Sequence, residues 1–300
     1  MRKAYRFLAA ALSLVLCTGM QSCHNEKISS GYPILFRCAD VTRAEATITD
    51  LQKNGFDVNA YFTANGSEFG FTKSLSYDKV SGIWGYNDIE YWLPGATYYF
   101  KALYPTDAGT IDNSISAQSL TISNFDVTSQ TDLLVAETEA IVVDASIGSP
   151  TGGSVVNLQF KHLLANVVVK IKAEINVTIQ DISLKFVPVK CNYADGRWEQ
   201  NTQGNIEKSG VNVALSKGGD YEDVTNGGFL VIPQTTNGDQ LLYIRTLDNK
   251  TYEIPIPTIT WAAGTKYIYT LTIKQSNILF NEPTVEIWDE ENATGSVVIK

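Results

Sequence analysis

Residues 166–173, NVVVKIKA, put Val167, Val169, Ile171 and Ala173 on one side of an extended chain and Lys170 and Lys172 on the other. Successive side chains of a strand point to opposite faces, so this spacing predicts a half-buried strand and does not fit a helical period of 3.6. The same alternation recurs along the chain. FDVNAYF aligns Phe56, Val58, Ala60 and Phe62, and TYYFKALYP aligns Tyr98, Phe100, Ala102 and Tyr104. VVNLQF groups Val156, Leu158 and Phe160, DISLKF places Ile182, Leu184 and Phe186 inward, and YIYTLTI groups Tyr267, Tyr269, Leu271 and Ile273. Sheets with one buried and one wet face produce this pattern.

Turn residues punctuate these runs. Ala194-Asp195-Gly196-Arg197 reads as a hairpin, because Gly tolerates the positive φ that tight turns require. Asn65-Gly66, Ser81-Gly82, Pro94-Gly95 and Asn237-Gly238 mark further turns. Ala44–Asn54 is compatible with one short helix, and no strongly amphipathic helix of three or more turns stands out. The expected class is all-β, as two mainly antiparallel β-sandwich domains. The most linker-like stretch near the middle, Ser149-Pro150-Thr151-Gly152-Gly153, divides them into 31–153 and 154–300.

A chain of 300 residues with 44% hydrophobic and 18% charged side chains has enough apolar material for two packed cores. Its 15 Tyr, 12 Phe and 5 Trp favour sheet over helix. The formal charge is −9, and leaving out residues 1–22, with their three basic residues and no acid, makes it −12. Such a surface repels phosphate backbones, so no nucleic-acid partner is expected.

Residues 1–22 read as a signal peptide. Arg2, Lys3 and Arg6 precede the apolar run Phe7–Leu16, which is shorter than the ~20 residues a membrane-spanning helix needs. The run leads to Met20-Gln21-Ser22-Cys23, which resembles a bacterial lipobox, with Cys23 as the acylated mature N-terminus and 23–30 as a tether. Ordinary cleavage nearby, with Cys23 a bystander, is the alternative. Cys38 and Cys191 then remain as two thiols that an exported protein is able to pair.

Little in the sequence points to catalysis. His24 falls in the tether, and His162, beside Phe160 and Leu163, reads as a packed structural residue. One folded His and two thiols do not make a four-ligand zinc site, and no G-x-S-x-G elbow occurs. Asp289-Glu290-Glu291-Asn292 lacks the alternating ligands of a calcium loop and reads as a solvated turn. A non-enzyme without cofactor or metal is expected; a pair of carboxylates acting on glycans is the weaker third option.

Several short stretches follow one another in a telling order. Val41-Thr42-Arg43-Ala44 precedes FDVNAYF, and Tyr91-Trp92-Leu93-Pro94-Gly95 precedes TYYFKALYP. Asp132-Leu133-Leu134-Val135-Ala136, Phe160-Lys161-His162-Leu163-Leu164 and Trp261-Ala262-Ala263-Gly264-Thr265-Lys266-Tyr267-Ile268-Tyr269 follow. With the lipobox, this order resembles the fimbrillin family, the lipoprotein-derived subunits of type V pili in anaerobic Gram-negative bacteria.

The resemblance implies two transthyretin-like domains, export to the outer membrane, and cutting after an Arg beyond the first strand by an arginine-specific surface protease. The strand then leaves, and a terminal strand of a neighbouring subunit fills the groove. On this chain the implied scissile bond is Arg43-Ala44, with Arg37-Cys38 as the alternative, and the departing strand holds Ile34, Leu35 and Phe36. The donor candidate is Val297, Val298 and Ile299 within the stretch 295–300, extendable back to Val285-Glu286-Ile287-Trp288. An uncut anchor or tip subunit, and a tail that is only a last edge strand, stay open. One departure is the single acid in His24-Asn25-Glu26-Lys27, where surface lipoproteins of this group carry several. The implied partners are other pilus subunits, the outer membrane through lipid, and a host or bacterial surface ligand. The competing reading is a lipid-anchored glycan-binding sandwich of the outer membrane.

Overall fold

In a computed structural model of the chain, the structure describes residues 31–38, 45–111, 120–151, 153–194, 196–275, 277–281 and 283–288. The expectations on Cys23, on Arg43 and Ala44, and on Val297, Val298 and Ile299 lie outside the described residues, as does the 289–292 acidic turn.

Alternation is realised as strands. The first half holds β1 (Leu35–Cys38), helix α1 (Glu45–Asn54), β2 (Phe56–Ala64), β3 (Ser67–Asp78), β4 (Ile83–Gly85), β5 (Thr97–Tyr104), β6 (Leu120–Asp126) and β7 (Leu134–Glu137). There follow β8 (Val155–Leu158), β9 (Phe160–His162), β10 (Ala165–Ala173), β11 (Val177–Ala194) and β12 (Arg197–Leu215). The chain continues through β13 (Phe229–Val231), β14 (Leu241–Thr246), β15 (Thr251–Pro255), β16 (Thr265–Ile273), β17 (Ile278–Phe280) and β18 (Thr284–Ile287). Short two-residue ladders complete the sheets.

In the first sheet the order is β8-β1-β4-β3-β2-β5-β7-β9. Its end strands, β8 and β9, are separated in sequence by Gln159 alone, so the sheet must curl until its two edges nearly meet. Long β3 makes the bend: Ser67–Leu75 pair with β2, while Ser76–Asp78 pair with β4. Inside lie Ile34, Phe36, Phe56, Val58, Trp84, Trp92, Tyr98, Phe100, Val156 and Phe160. The Asn65-Gly66 turn joins β2 to β3 with φ of 51° and 76°, as a two-residue hairpin with both central residues left-handed requires.

The second core lies between two further sheets. One has β10 and β16 at its centre, paired in parallel from Asn166↔Lys266 to Ala173↔Ile273. The other runs β15-β14-β11-β6, with β12 on β11. Together they bury Val167, Val169, Ile171, Ile182, Leu184, Trp261, Tyr269 and Leu271. The expected hairpin at 194–197 joins β11 to β12 through the Ala194↔Arg197 pair. The two parallel pairs, β10/β16 and β1/β8, depart from a mainly antiparallel expectation. Their partners are far apart in the chain, as parallel pairing needs a long crossover.

Core membership does not run strictly in chain order: β8 and β9 close the first sheet, while Leu103, Leu120, Ile122 and Phe125 of the first half enter the second core. Strand pairing decides membership. Phe186 points outward at 51% exposure instead of inward. A bulge between Lys185 and Val187 inserts one residue, and Phe186 takes a positive φ of 60°, which resets the alternation.

One loop of the second sandwich carries a pH signature. The Asp223 carboxylate accepts hydrogen bonds from Thr225 N (2.7 Å), Thr225 Oγ1 (2.6 Å) and Gly227 N (2.9 Å). Lys208 donates to the carbonyls of Thr225 and Gly228 in the same loop. Burial alone raises the Asp223 carboxyl, but these hydrogen bonds and the Lys208 charge outweigh it and hold the group below the usual carboxylate range. A depressed carboxyl stabilises the fold above its unfolded pKa of about 4, and that stabilisation is lost as pH falls through the folded value. Asp223→Asn should therefore flatten the loss of urea resistance as pH falls below about 4; an unchanged slope would remove Asp223 from the account.

Candidate functional site

The site is the slot that holds β1. Only Ile34, Phe36 and Cys38 face inward, because a strand turns every second side chain to one face. Ile34 is fully buried and Phe36 is 4% exposed, while Leu35 and Arg37 point to solvent. Backbone pairing holds the strand on both sides. It runs parallel to β8 from Leu35↔Val155 to Cys38↔Leu158, and meets β4 at Phe36↔Trp84. Ahead of it, Ile34 N donates to Glu90 O and Trp92 N donates to Tyr32 O, each at 2.9 Å.

The slot is walled by aromatic rings. Phe36 meets Tyr86 edge-on with centroids 5.6 Å apart, and Phe100 edge-on at 5.5 Å. Such T-shaped pairs satisfy the ring quadrupoles and add to area burial. Tyr86 Oη donates to Ile34 O at 2.8 Å, and Trp92 Nε1 donates to Ser154 O at 3.2 Å. Burial pushes the Tyr86 phenol up, so it stays a proton donor at neutral pH. At the far end, burial pushes the Cys38 thiol up to about 12, which makes it a packing residue and a poor nucleophile. An open cleft of about 360 Å³ adjoins this end, between Cys38, Ile48, Tyr77 and Ile83.

Immediately past β1 comes the segment carrying Arg43, and then α1, which is docked through buried Leu51. Asn54 Nδ2, at the helix end, donates to Tyr104 Oη at 2.9 Å. The helix thus anchors the chain on the far side of Arg43 independently of β1. The alternative bond, Arg37-Cys38, lies inside the β1/β8 ladder, where a protease would have to unpair the strand first. Cys38 and Cys191 sit in the first and second cores respectively, with no disulfide between them.

A second constellation was not foreseen as a unit. The Asp132 and His162 stretches, thirty residues apart in sequence, pair as β7 and β9 through Phe160↔Ala136 and His162↔Leu134. His162 Nδ1 lies 2.6 Å from Asp132 Oδ2, and Trp288 stacks on the imidazole at 3.8 Å, nearly parallel at 8°. The extension proposed for the donor, Val285–Trp288, is here a strand of its own fold: Val285 pairs with Tyr267, and Trp288 N donates to Gly264 O at 3.0 Å. The signal available in sequence was the buried-looking His between apolar neighbours. The third partner, Trp288, was not legible because its contact is set by β18 docking on β16. Among the described residues no group of three or more His, Cys, Asp or Glu is placed to hold a metal, and no helix is long and apolar enough to cross a membrane.

An all-β chain with two packed cores, whose first strand is short and walled by aromatic rings, has the build of a β-sandwich protein. The family model for fimbrillin-like proteins matches residues 42–288, and the chain belongs to that family. Among solved structures, a fimbrial protein from Bacteroides vulgatus ATCC 8482 superposes with a TM-score of 0.63 at 20% identity, over 85% of this chain and 99% of that one. A candidate cell adhesion protein from Bacteroides uniformis ATCC 8492 gives 0.53 at 16% identity, over 87% and 99%. At these identities the likeness speaks to the fold. A search of curated protein sequences gave no match.

Proposed function

We propose that this protein is a structural or accessory subunit of a fimbrium. In this reading it is exported as a lipoprotein acylated at Cys23, cut at Arg43-Ala44, and assembled by exchange of β1 for a strand of another subunit. The observation that carries the reading is the seating of β1: two large apolar side chains in a slot, and a sequence break point between the strand and its anchored helix. Burying Ile34 and Phe36 is worth about 1.5–3 kcal/mol each, so an empty slot favours refilling by any suitable strand. The vacated β4 and β8 edges also present unpaired backbone groups, a template for strand addition. Filling in one direction from subunit to subunit does not close, and gives a filament. Cys23 and β1 lie on the same side of the cut, so the fragment that leaves is also the one that carries the lipid.

The glycan-binding reading receives less support. It calls for exposed tryptophan platforms, yet Trp84, Trp92 and Trp261 are buried, Trp198 is half-buried and Trp288 is stacked on His162, which leaves Tyr32, Phe69, Tyr91, Phe186 and Tyr221 as the exposed rings among the described residues. N-terminal sequencing of the cell-associated protein is the decisive measurement. We expect a mature form beginning at Ala44 that is recovered from cells in a ladder of assemblies with other subunits. A native form that still carries β1, or trimmed protein that stays monomeric while binding oligosaccharide, would overturn the assembly reading.

A further inference from the structure

Resting on the strand-replacement reading above, we propose that the β1 slot is selective. It takes a strand with an aliphatic residue, an aromatic residue two positions on and a small residue two further, supplied by a chain other than a second copy's Val297–Ile299 segment. The template is printed in the seated strand as Ile34, Phe36 and Cys38, with Leu35 and Arg37 facing solvent. The backbone interactions that hold it are blind to side chains: the Ile34 N to Glu90 O bond, the Tyr86 Oη to Ile34 O bond and the ladder with β8. They supply affinity to any extended segment entering parallel to β8, whereas the alternate pockets supply discrimination.

The middle pocket discriminates most. Its walls are the rings of Tyr86 and Phe100, and Trp84 lies opposite on β4. Trp84 is itself packed on Phe56 at 4.7 Å and Tyr77 at 5.1 Å, and Phe100 on Trp92 at 5.8 Å. Walls braced in this way by other rings on paired strands do not collapse onto a smaller side chain, so Val or Ile at the Phe36 position leaves a void. Residues 289–300 contain no Phe, Tyr or Trp. In either alternation of Val297, Val298 and Ile299, the middle pocket receives a β-branched aliphatic residue.

The test uses the mature chain cut after Arg43 by a trypsin-like protease, challenged with synthetic peptides in competition with a fluorescent copy of residues 31–40. Peptide 31–40 and its Leu35→Ser form should compete within about twofold of each other, because position 35 faces solvent. The Phe36→Val form and peptide 293–300 should compete about tenfold or more weakly. Equal competition by all four peptides overturns the selectivity while leaving strand replacement standing. Failure of every peptide, 31–40 included, to enter the cut chain overturns strand replacement itself and the selectivity with it.

Discussion

Phe36→Ala in the uncut chain is expected to destabilise the first sandwich by about 3–5 kcal/mol, the usual cost of truncating a buried Phe. Its ring is 4% exposed and makes two edge-on aromatic contacts, neither of which a methyl group replaces. Against a total stability of about 5–15 kcal/mol for a domain, this removes a large share. Urea denaturation followed by tryptophan fluorescence reads it directly, since Trp84 lies opposite Phe36. Leu35→Ala is the control: its side chain is 39% exposed on the other face, and the expected cost is under about 1 kcal/mol. Equal losses from the two variants would mean that β1 is not seated by alternation, and the slot would lose its physical basis. The comparison also bears on assembly. A strand worth this much in place is held firmly until it is cut free, and an empty slot is then a strong acceptor.

Gly55→Ala is the second large expectation, at about 2–5 kcal/mol. Gly55 ends α1, donating its N–H to Leu51 O at 2.8 Å with φ at +76°. A left-handed conformation costs an L-residue roughly 1–2 kcal/mol. An added Cβ would also press on the backbone carbonyl of Leu75 in β3, which is pinned by the Phe56↔Leu75 pair. Relieving that overlap means shifting a strand, at about 1–3 kcal/mol more. Gly66→Ala offers the contrast, because its φ is the same +76° but its added Cβ meets nothing within 4 Å. Thermal melts of the two variants should therefore separate, with Gly55→Ala clearly the lower. Coincident melts would show that the helix end yields freely, and that α1 does not anchor the chain beyond Arg43.

Much of this architecture was legible in the residues. Alternation identified the buried faces of β2, β5, β10 and β16, and Asn65-Gly66 marked its hairpin, because both signals are local consequences of strand and turn geometry. The short helix after Ala44 and the buried character of His162 were also within reach. Phe186 was misplaced because a bulge shifts the count of two, and neither Pro188 nor Gly204, which pairs with Val187, marks in the sequence the residue at which the shift falls. The slot was half legible: Ile34-Leu35-Phe36 reads as a strand, but nothing nearby says which strands flank it.

Local chemistry, then, settled the strand class, the faces that turn inward, the aromatic content of the cores and the position of an Arg just past the first strand. Contacts between distant segments settled the rest: that Leu35 lies beside Val155, that Asn166 lies beside Lys266, that Trp288 covers His162, and that the two cores share out the chain unevenly. The reason is that a strand's own residues specify its two faces, whereas its hydrogen-bonding edges are the same backbone amides everywhere. Which edge meets which is decided only when all the apolar faces are buried at once.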